Sequence, residues 1–156
     1  MEFISEQIID RVAQQLESTQ EGYILAVEEM KKKQPALLAY FLSEDFHLLT
    51  EDENEYLLYL GIVIWKSIEE VAPNLPMVSE KELEMAEEIN WDLLSHVTSN
   101  KFRERMNVFF ENYSQEDLLA FVEDALIDDE DSFISKEGRE PLFVTLKTVI
   151  DALCKI

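Results

Sequence analysis

The feature that most constrains the fold of this chain is its shortage of turn-forming residues. Its 156 residues include three glycines and four prolines. Sheet proteins need frequent turn residues between short strands, whereas helices can be joined by short connections without them. Since 47% of the residues are hydrophobic, a chain of this length can bury a core without disulfides or a metal. The sequence therefore predicts a single all-α domain spanning residues 1–156.

Apolar residues recur at helical spacing along the chain and divide it into about eight predicted helices. Seven are expected at about 6–16, 22–33, 35–49, 51–71, 79–97, 101–112 and 115–127, and the eighth runs from near Pro141 to the C-terminus. The fourth and fifth begin with capping boxes at Thr50 and Ser79, in which the hydroxyl and a glutamate three residues later satisfy each other's backbone donors. Ser99 or Asn100 is expected to cap the sixth helix, and Pro141 is expected in or near the first turn of the eighth.

Two stretches of the sequence resemble each other. Residues 34–40 read QPALLAY and residues 115–121 read QEDLLAF. The match favours an internal duplication into two pseudo-symmetric four-helix halves, residues 1–72 and 79–156, separated by a proline-containing break at 73–78. Such halves would form a compact bundle or a short helical-repeat stack. Chance similarity between leucine-rich helices is the alternative explanation.

The fourth predicted helix is apolar on all sides from Tyr56 to Trp65. A helix without a polar face must be enclosed by other helices or shared with a second subunit. Gly61 lies in this stretch, where it costs about 1 kcal/mol relative to alanine, which suggests that a neighbouring backbone comes close. A homo-oligomer formed through this helix, and hence a self-associating structural domain, is one hypothesis for the protein.

Charge narrows the classes of partner. The chain has 34 acidic and 13 basic residues, a net charge of −21. This field repels phosphates and anionic lipids, so neither nucleic acid nor a membrane is expected as a partner. The sequence also lacks the run of about 20 apolar residues that crosses a bilayer. A basic protein is the expected partner, and a charge that serves solubility alone is the alternative.

Acidic residues are concentrated in two predicted connectors, one entering the fourth helix and one preceding the eighth. The candidate partner-binding residues are Glu51, Asp52, Glu53, Glu55, Asp128, Asp129, Glu130 and Asp131. The second cluster also suggests a calcium loop. However, the glycine that an EF-hand needs at its sixth position is replaced by Phe133 or Ile134, depending on the register. A calcium site is therefore not predicted.

Two other groups could ligate a metal. Glu44 and His47 have the Glu-x-x-His spacing of helical di-iron proteins, but those proteins need two such pairs and two further glutamates. Glu88, Asp92 and His96 follow one another at steps of four on one predicted helix face, as surface ion pairs also do. No metal or cofactor is predicted, and a carboxylate-rich metal enzyme is kept as an alternative function.

Catalytic motifs are missing from the sequence. It has no glycine-rich phosphate loop and no Gly-x-Ser-x-Gly turn, and its only cysteine, Cys154, lies in an apolar helix as a packing residue. A ligand-binding concavity would be lined by aromatic residues such as Tyr40, Phe41, Trp65 and Trp91, for which core packing is the alternative. With no signal peptide recognised, a cytoplasmic location is expected. The leading interpretation is a non-catalytic protein-binding module, of inhibitor or adaptor type.

Overall fold

Every regular element in the described part of this chain is an α-helix. The computed structural model describes residues 1–43, 49–127 and 133–156. In these ranges the helices are α1 (Glu6–Ser18), α2 (Gln20–Lys33), α3 (Pro35–Phe41), α4 (Glu51–Val71), α5 (Glu80–Ser95), α6 (Phe102–Phe110), α7 (Glu116–Leu126) and α8 (Lys136–Cys154). The predicted eight-helix, all-α fold is confirmed. None of these helices combines the length and the apolar composition that crossing a bilayer requires.

Five of the helices begin with a residue whose side chain caps the helix N-terminus. The hydroxyls of Ser5, Thr19 and Ser135 accept hydrogen bonds from backbone N–H groups in the first turns of α1, α2 and α8. Both predicted capping boxes are present, with Thr50 at the start of α4 and Ser79 at the start of α5. These bonds satisfy backbone donors that have no partner within the helix.

Two predicted helix boundaries differ from the structure. The third helix was expected to reach Leu49, but the described helix ends at Phe41, and residues 44–48 lie outside the described residues. The eighth helix begins at Lys136, so that Pro141 lies inside it rather than in its first turn. Because Ser135 caps the helix early, the missing proline N–H removes one internal hydrogen bond from the second turn.

The sixth and seventh helices start without a side-chain cap. Lys101, rather than the expected Ser99 or Asn100, occupies the N-cap position of α6. The Ser99 hydroxyl still accepts from the Lys101 N–H, at 3.1 Å. Gln115 is the N-cap residue of α7, and its side chain bonds to a distant part of the chain.

The centre of the molecule is formed by α4 and α8, which pack against each other. In α4, Leu57 and residues 60–65 are buried under α1, α2, α3 and α8. The chain itself therefore covers most of the stretch on which the self-association hypothesis rests, while Tyr56, Leu58 and Tyr59 stay partly exposed. Self-association through this helix stays a prediction. Gly61 permits a close approach, but its neighbour is the ring of Phe41 rather than a backbone, since a Cβ at Gly61 would clash with that ring.

The eighth helix buries polar groups as well as apolar ones. The Lys147 Nζ donates to Asn90 Oδ1 and to Asp151 Oδ2, both at 2.8 Å. Asn90 also donates to Thr148 and Asp151, each at 3.1 Å, and the Tyr113 hydroxyl donates to Asp151 at 2.5 Å. This network connects α5 and the segment after α6 to α8. Its members are hydrogen-bonded, which removes most of the cost of burying them.

Two buried glutamines make matching long-range contacts. Gln115 donates to the carbonyl of Glu2 at 2.9 Å and accepts from the N–H of Ile4 at 3.0 Å. Gln34 donates to the carbonyl of residue 76 at 3.1 Å and accepts from the N–H of residue 78 at 2.9 Å. Each glutamine thus holds the segment that leads into the first helix of the other predicted half. Likewise α1 packs on α4 and α7, and α5 packs on α8 and α3. The duplication itself stays a prediction that agrees with these contacts.

Candidate functional site

Three of the predicted acidic residues lie on the surface at the start of α4. Glu51, Asp52 and Glu55 are exposed in the first turns of the helix. Carboxylates are favoured there because the unpaired N–H groups at a helix N-terminus carry a partial positive charge. Their exposure leaves them accessible to a positively charged partner.

Glu53 is different, because its side chain is buried. One carboxylate oxygen completes the capping box with Thr50. The other accepts from the N–H and the hydroxyl of Ser135, at 2.9 and 3.0 Å. Burial opposes ionisation, but these hydrogen bonds outweigh it and hold the pKa of Glu53 below its ordinary value. Glu53 therefore joins the start of α4 to the start of α8 and presents no carboxylate to a partner.

The second predicted acidic cluster, Asp128, Asp129, Glu130 and Asp131, lies outside the described residues. Phe133, the first described residue after this cluster, is 52% exposed. Its ring lies edge-on to the ring of Tyr56, with centroids 5.4 Å apart. Together with the Glu53–Ser135 bonds, this contact places the end of the second connector beside the first acidic cluster.

A row of aromatic rings runs along this part of the surface. The row begins with the rings of Phe133 and Tyr56. The ring of Tyr56 also stacks on that of Tyr59, with centroids 6.2 Å apart. The ring of Tyr59 in turn lies 6.1 Å from that of Tyr23 on α2. The three tyrosines are partly exposed. Four rings from three regions of the sequence thus form one continuous, partly exposed aromatic row.

Carboxylates flank the row. The Tyr59 hydroxyl donates to the Glu17 carboxylate of α1 at 2.6 Å. Burial and the nearby Glu55 raise the pKa of Tyr23, and burial and Glu17 raise the pKa of Tyr56. The pKa of Tyr59 is also raised, first by burial and then by its bond to Glu17. Burial first, and the neighbouring carboxylates second, disfavour the ionised form of these phenols.

We call this region the aromatic–acidic surface; it consists of Glu17, Tyr23, Glu55, Tyr56, Tyr59 and Phe133. A positively charged side chain can gain there from two kinds of contact. The faces of aromatic rings attract cations, and the neighbouring carboxylates attract them over a longer range. The chemistry of this arrangement suits a cationic group.

The predicted metal ligands are not brought together in the described residues. His96 and Asp92 are exposed, with side-chain accessibilities of 77% and 74% and a closest N–O distance of 3.8 Å. Glu88 is likewise on the surface. Over the described ranges, no three His, Cys, Asp or Glu side chains are grouped so that they could hold an ion. Glu44 and His47 lie outside these ranges, and their metal-binding role stays a prediction.

Cys154 is buried and unpaired with any other cysteine. Burial, together with the charge of Asp151, raises the pKa of its thiol to about 12. A nucleophilic cysteine needs the opposite shift, since the thiolate is the reactive form. Its environment is that of the packing residue that the sequence predicts.

A cavity of about 440 Å³ lies between α3 and α5 and is lined by Tyr40 and Trp91, two of the four aromatic residues expected around a ligand site. The other two, Phe41 and Trp65, are buried in the core. The cavity borders Ser43 and Leu49, the residues on either side of the undescribed segment 44–48. No site is assigned to it for that reason.

The aromatic half of the candidate surface was not predicted from the sequence. One signal was available: Tyr56 and Tyr59 are three residues apart just after the acidic cluster, and this spacing places them on one face of α4. Tyr23, Phe133 and Glu17 reach the same place only through the packing of α1, α2 and the start of α8 around α4. In comparisons with protein-family models, with curated proteins and with solved structures, the chain matches none.

Proposed function

We propose that this protein is a non-catalytic binding module that recognises a basic segment of another protein through the aromatic–acidic surface. The observation that carries the proposal is the row of four partly exposed rings flanked by the carboxylates of Glu17 and Glu55. Aromatic and acidic groups in one place suit a partner that presents arginine or lysine side chains.

The charge of the whole chain supports the same partner. A net charge of −21 accelerates the encounter with a positively charged protein and opposes binding to nucleic acid or to anionic lipid. A cytoplasmic location is part of the proposal. The single cysteine of the chain is buried and makes no disulfide, which suits a reducing compartment.

Arginine should be preferred over lysine. The guanidinium group is planar and weakly hydrated, so it stacks on an aromatic face while its edge bonds to a carboxylate. The lysine ammonium is compact and strongly hydrated, and it gains less from such a surface. An acidic field without aromatic contacts would attract both side chains about equally.

The test is to titrate the full chain with hexa-arginine and with hexa-lysine peptides and to measure each affinity by isothermal titration calorimetry. We expect the wild type to prefer hexa-arginine by about two- to fivefold, the effect of an exposed cation–π contact. Tyr59→Leu should abolish the preference because it removes the central ring. Tyr59→Phe keeps the ring and should retain the preference.

A second pair of variants separates the local carboxylates from the overall charge. Glu55→Gln should weaken hexa-arginine binding by about two- to fivefold, the effect of one exposed ion pair. Glu28→Gln removes the same charge from an exposed position on α2 and should have a smaller effect. Equal affinity of the wild type for both peptides, or equal losses in the two glutamine variants, would show only general attraction and would refute the proposed site.

A further inference from the structure

A second surface of the protein combines exposed apolar and acidic residues. On α5, the side chains of Met85, Ile89 and Leu93 are 56%, 60% and 39% exposed. Their spacing of four places them in one row along the helix. Single exposed apolar residues are common on protein surfaces, whereas contiguous ones mark interaction sites. We call this row the α5 strip.

Met85 and Ile89 of the strip line one wall of a groove, and Leu93 continues the row beyond it. The opposite wall is the C-terminal end of α8 and the residues after it, with Ile156 53% exposed. The groove has a volume of about 250 Å³, and the small side chains of Ala86 and Ala152 line it. From Met85 to Leu93 the strip extends about 12 Å along the helix axis. This length matches two turns of a helix that inserts apolar side chains at every third or fourth position.

Charge determines what can lie in this groove. Glu84, Glu88 and Asp92 form an exposed acidic row on α5, adjacent to the strip. The whole helix has six acidic residues and one lysine. On the other side, Lys155 is paired with Glu82 at 2.6 Å. An occupant that covers the strip must therefore bring positive charge to the acidic row.

The same charges disfavour two other occupants. A second copy of the chain would place another acidic row and another net charge of −21 against the first. An anionic membrane would also be repelled, because membrane-binding helices have basic residues beside their apolar face. An amphipathic helix with lysine or arginine flanking its apolar row fits both features of the groove.

We propose that the groove between α5 and the end of α8 is a docking site for a basic amphipathic helix of another protein. It shares no residue with the aromatic–acidic surface, and its partner makes a helical rather than a stacking contact. Exposed methionine suits this role, since its flexible side chain adapts to apolar partners.

The proposal is tested with a labelled helical peptide of about 18 residues, built from leucine and lysine with leucine at every third or fourth position. A peptide of the same composition in scrambled order is the control. We expect saturable binding of the helical peptide to the full chain by fluorescence anisotropy, and binding weaker by about tenfold or more for the scrambled one.

Matched variants locate the contact. Met85→Ser/Ile89→Ser should weaken binding of the helical peptide by about tenfold or more. Ile24→Ser/Leu25→Ser removes apolar side chains that are 49% and 57% exposed on α2 and should leave the binding unchanged. All four positions are exposed, and circular dichroism verifies that both variants remain folded. The hexa-arginine titration should not change in either variant, which separates this site from the proposed function.

Three results would overturn the inference. The first is equal binding of the helical and scrambled peptides, and the second is an equal loss of binding in the two serine variants. The third is evidence for a different occupant. A second copy would be indicated if light scattering shows a dimer that is lost in Met85→Ser/Ile89→Ser. A membrane would be indicated if anionic phosphatidylserine vesicles bind the wild type but not that variant.

Discussion

The two central helices are buried in different ways. Residues 60–65 of α4 are a run of buried residues without a charge, with Trp65 and three β-branched residues among them. Every residue of α8 from Leu142 to Cys154 is buried as well, but that stretch includes Lys147 and Asp151. Sequence patterning predicted that α4 is enclosed by other helices or shared with a second subunit, and that Cys154 packs in an apolar last helix. It did not predict that Lys147 and Asp151 are buried in that helix, because charged residues are usually exposed.

The difference shows what each kind of burial contributes. Apolar contacts stabilise α4 but have little directionality. The hydrogen bonds of Lys147 and Asp151 need particular partners on α5 and after α6, so they specify one arrangement of these elements around α8. The groove that we propose as a docking site is formed by α5 and the end of α8, and the network positions these two helices.

The largest effect is expected from breaking the network of α8. Asp151→Ala removes the counter-charge of buried Lys147 and the acceptor of the Tyr113 hydroxyl. We expect the free energy of unfolding, measured with urea, to fall by about 3–5 kcal/mol. Adding Lys147→Met should recover part of this loss because the unpaired charge is gone. A double variant no more stable than Asp151→Ala would show that the buried charge is not the cause.

A smaller loss is expected from overpacking α4. A Cβ at Gly61 clashes with the Phe41 ring, so Gly61→Ala should lower the free energy of unfolding by about 1–3 kcal/mol. Phe41→Leu makes room, and the double variant should cost less than the sum of the single substitutions. If the losses of stability measured by thermal unfolding simply add in the double variant, the Phe41 ring does not limit the size of the side chain at position 61.

The two glutamine contacts compare the predicted halves directly. Gln34→Ala and Gln115→Ala each leave a buried N–H without its partner, and each should cost about 1–3 kcal/mol in urea unfolding. If the halves are equivalent, the two costs should be similar. A large cost at one position and none at the other would argue against the predicted duplication.

The smallest effect concerns acid stability. The pKa of Glu53 is lowered in the folded chain, so its ionised form stabilises the fold above the ordinary glutamate pKa of about 4.3. This contribution is lost as the pH falls through the lowered value. Glu53→Gln should therefore be less stable than the wild type at pH 7, and the difference should shrink below about pH 4.3. A difference independent of pH would contradict this role of the carboxylate.

Much of the fold could be predicted, and less of the candidate site. Caps and apolar spacing are local signals, and they located Thr50, Ser79 and most helix boundaries. For the site, composition and sequence position predicted an acidic start of α4, where Glu51 and Glu55 are exposed. The same local argument included Glu53, whose partner Ser135 is 82 positions away. Rules based on residue spacing within one helix cannot predict a contact over such a separation.

By itself, then, the sequence determined the helical class, the capped starts of α1, α4 and α5 and the acidity of the chain, because these depend on composition and on residues within one or two turns. The tertiary structure alone decided that Glu53 is buried, that rings of Tyr23 and Phe133 meet on α4, and that Lys147 is enclosed. Each of these depends on side chains from distant segments, which meet only when the helices pack. The tertiary structure also decided that the α5 strip stays exposed. The amphipathic pattern of a helix does not reveal which of its apolar residues the rest of the chain will bury.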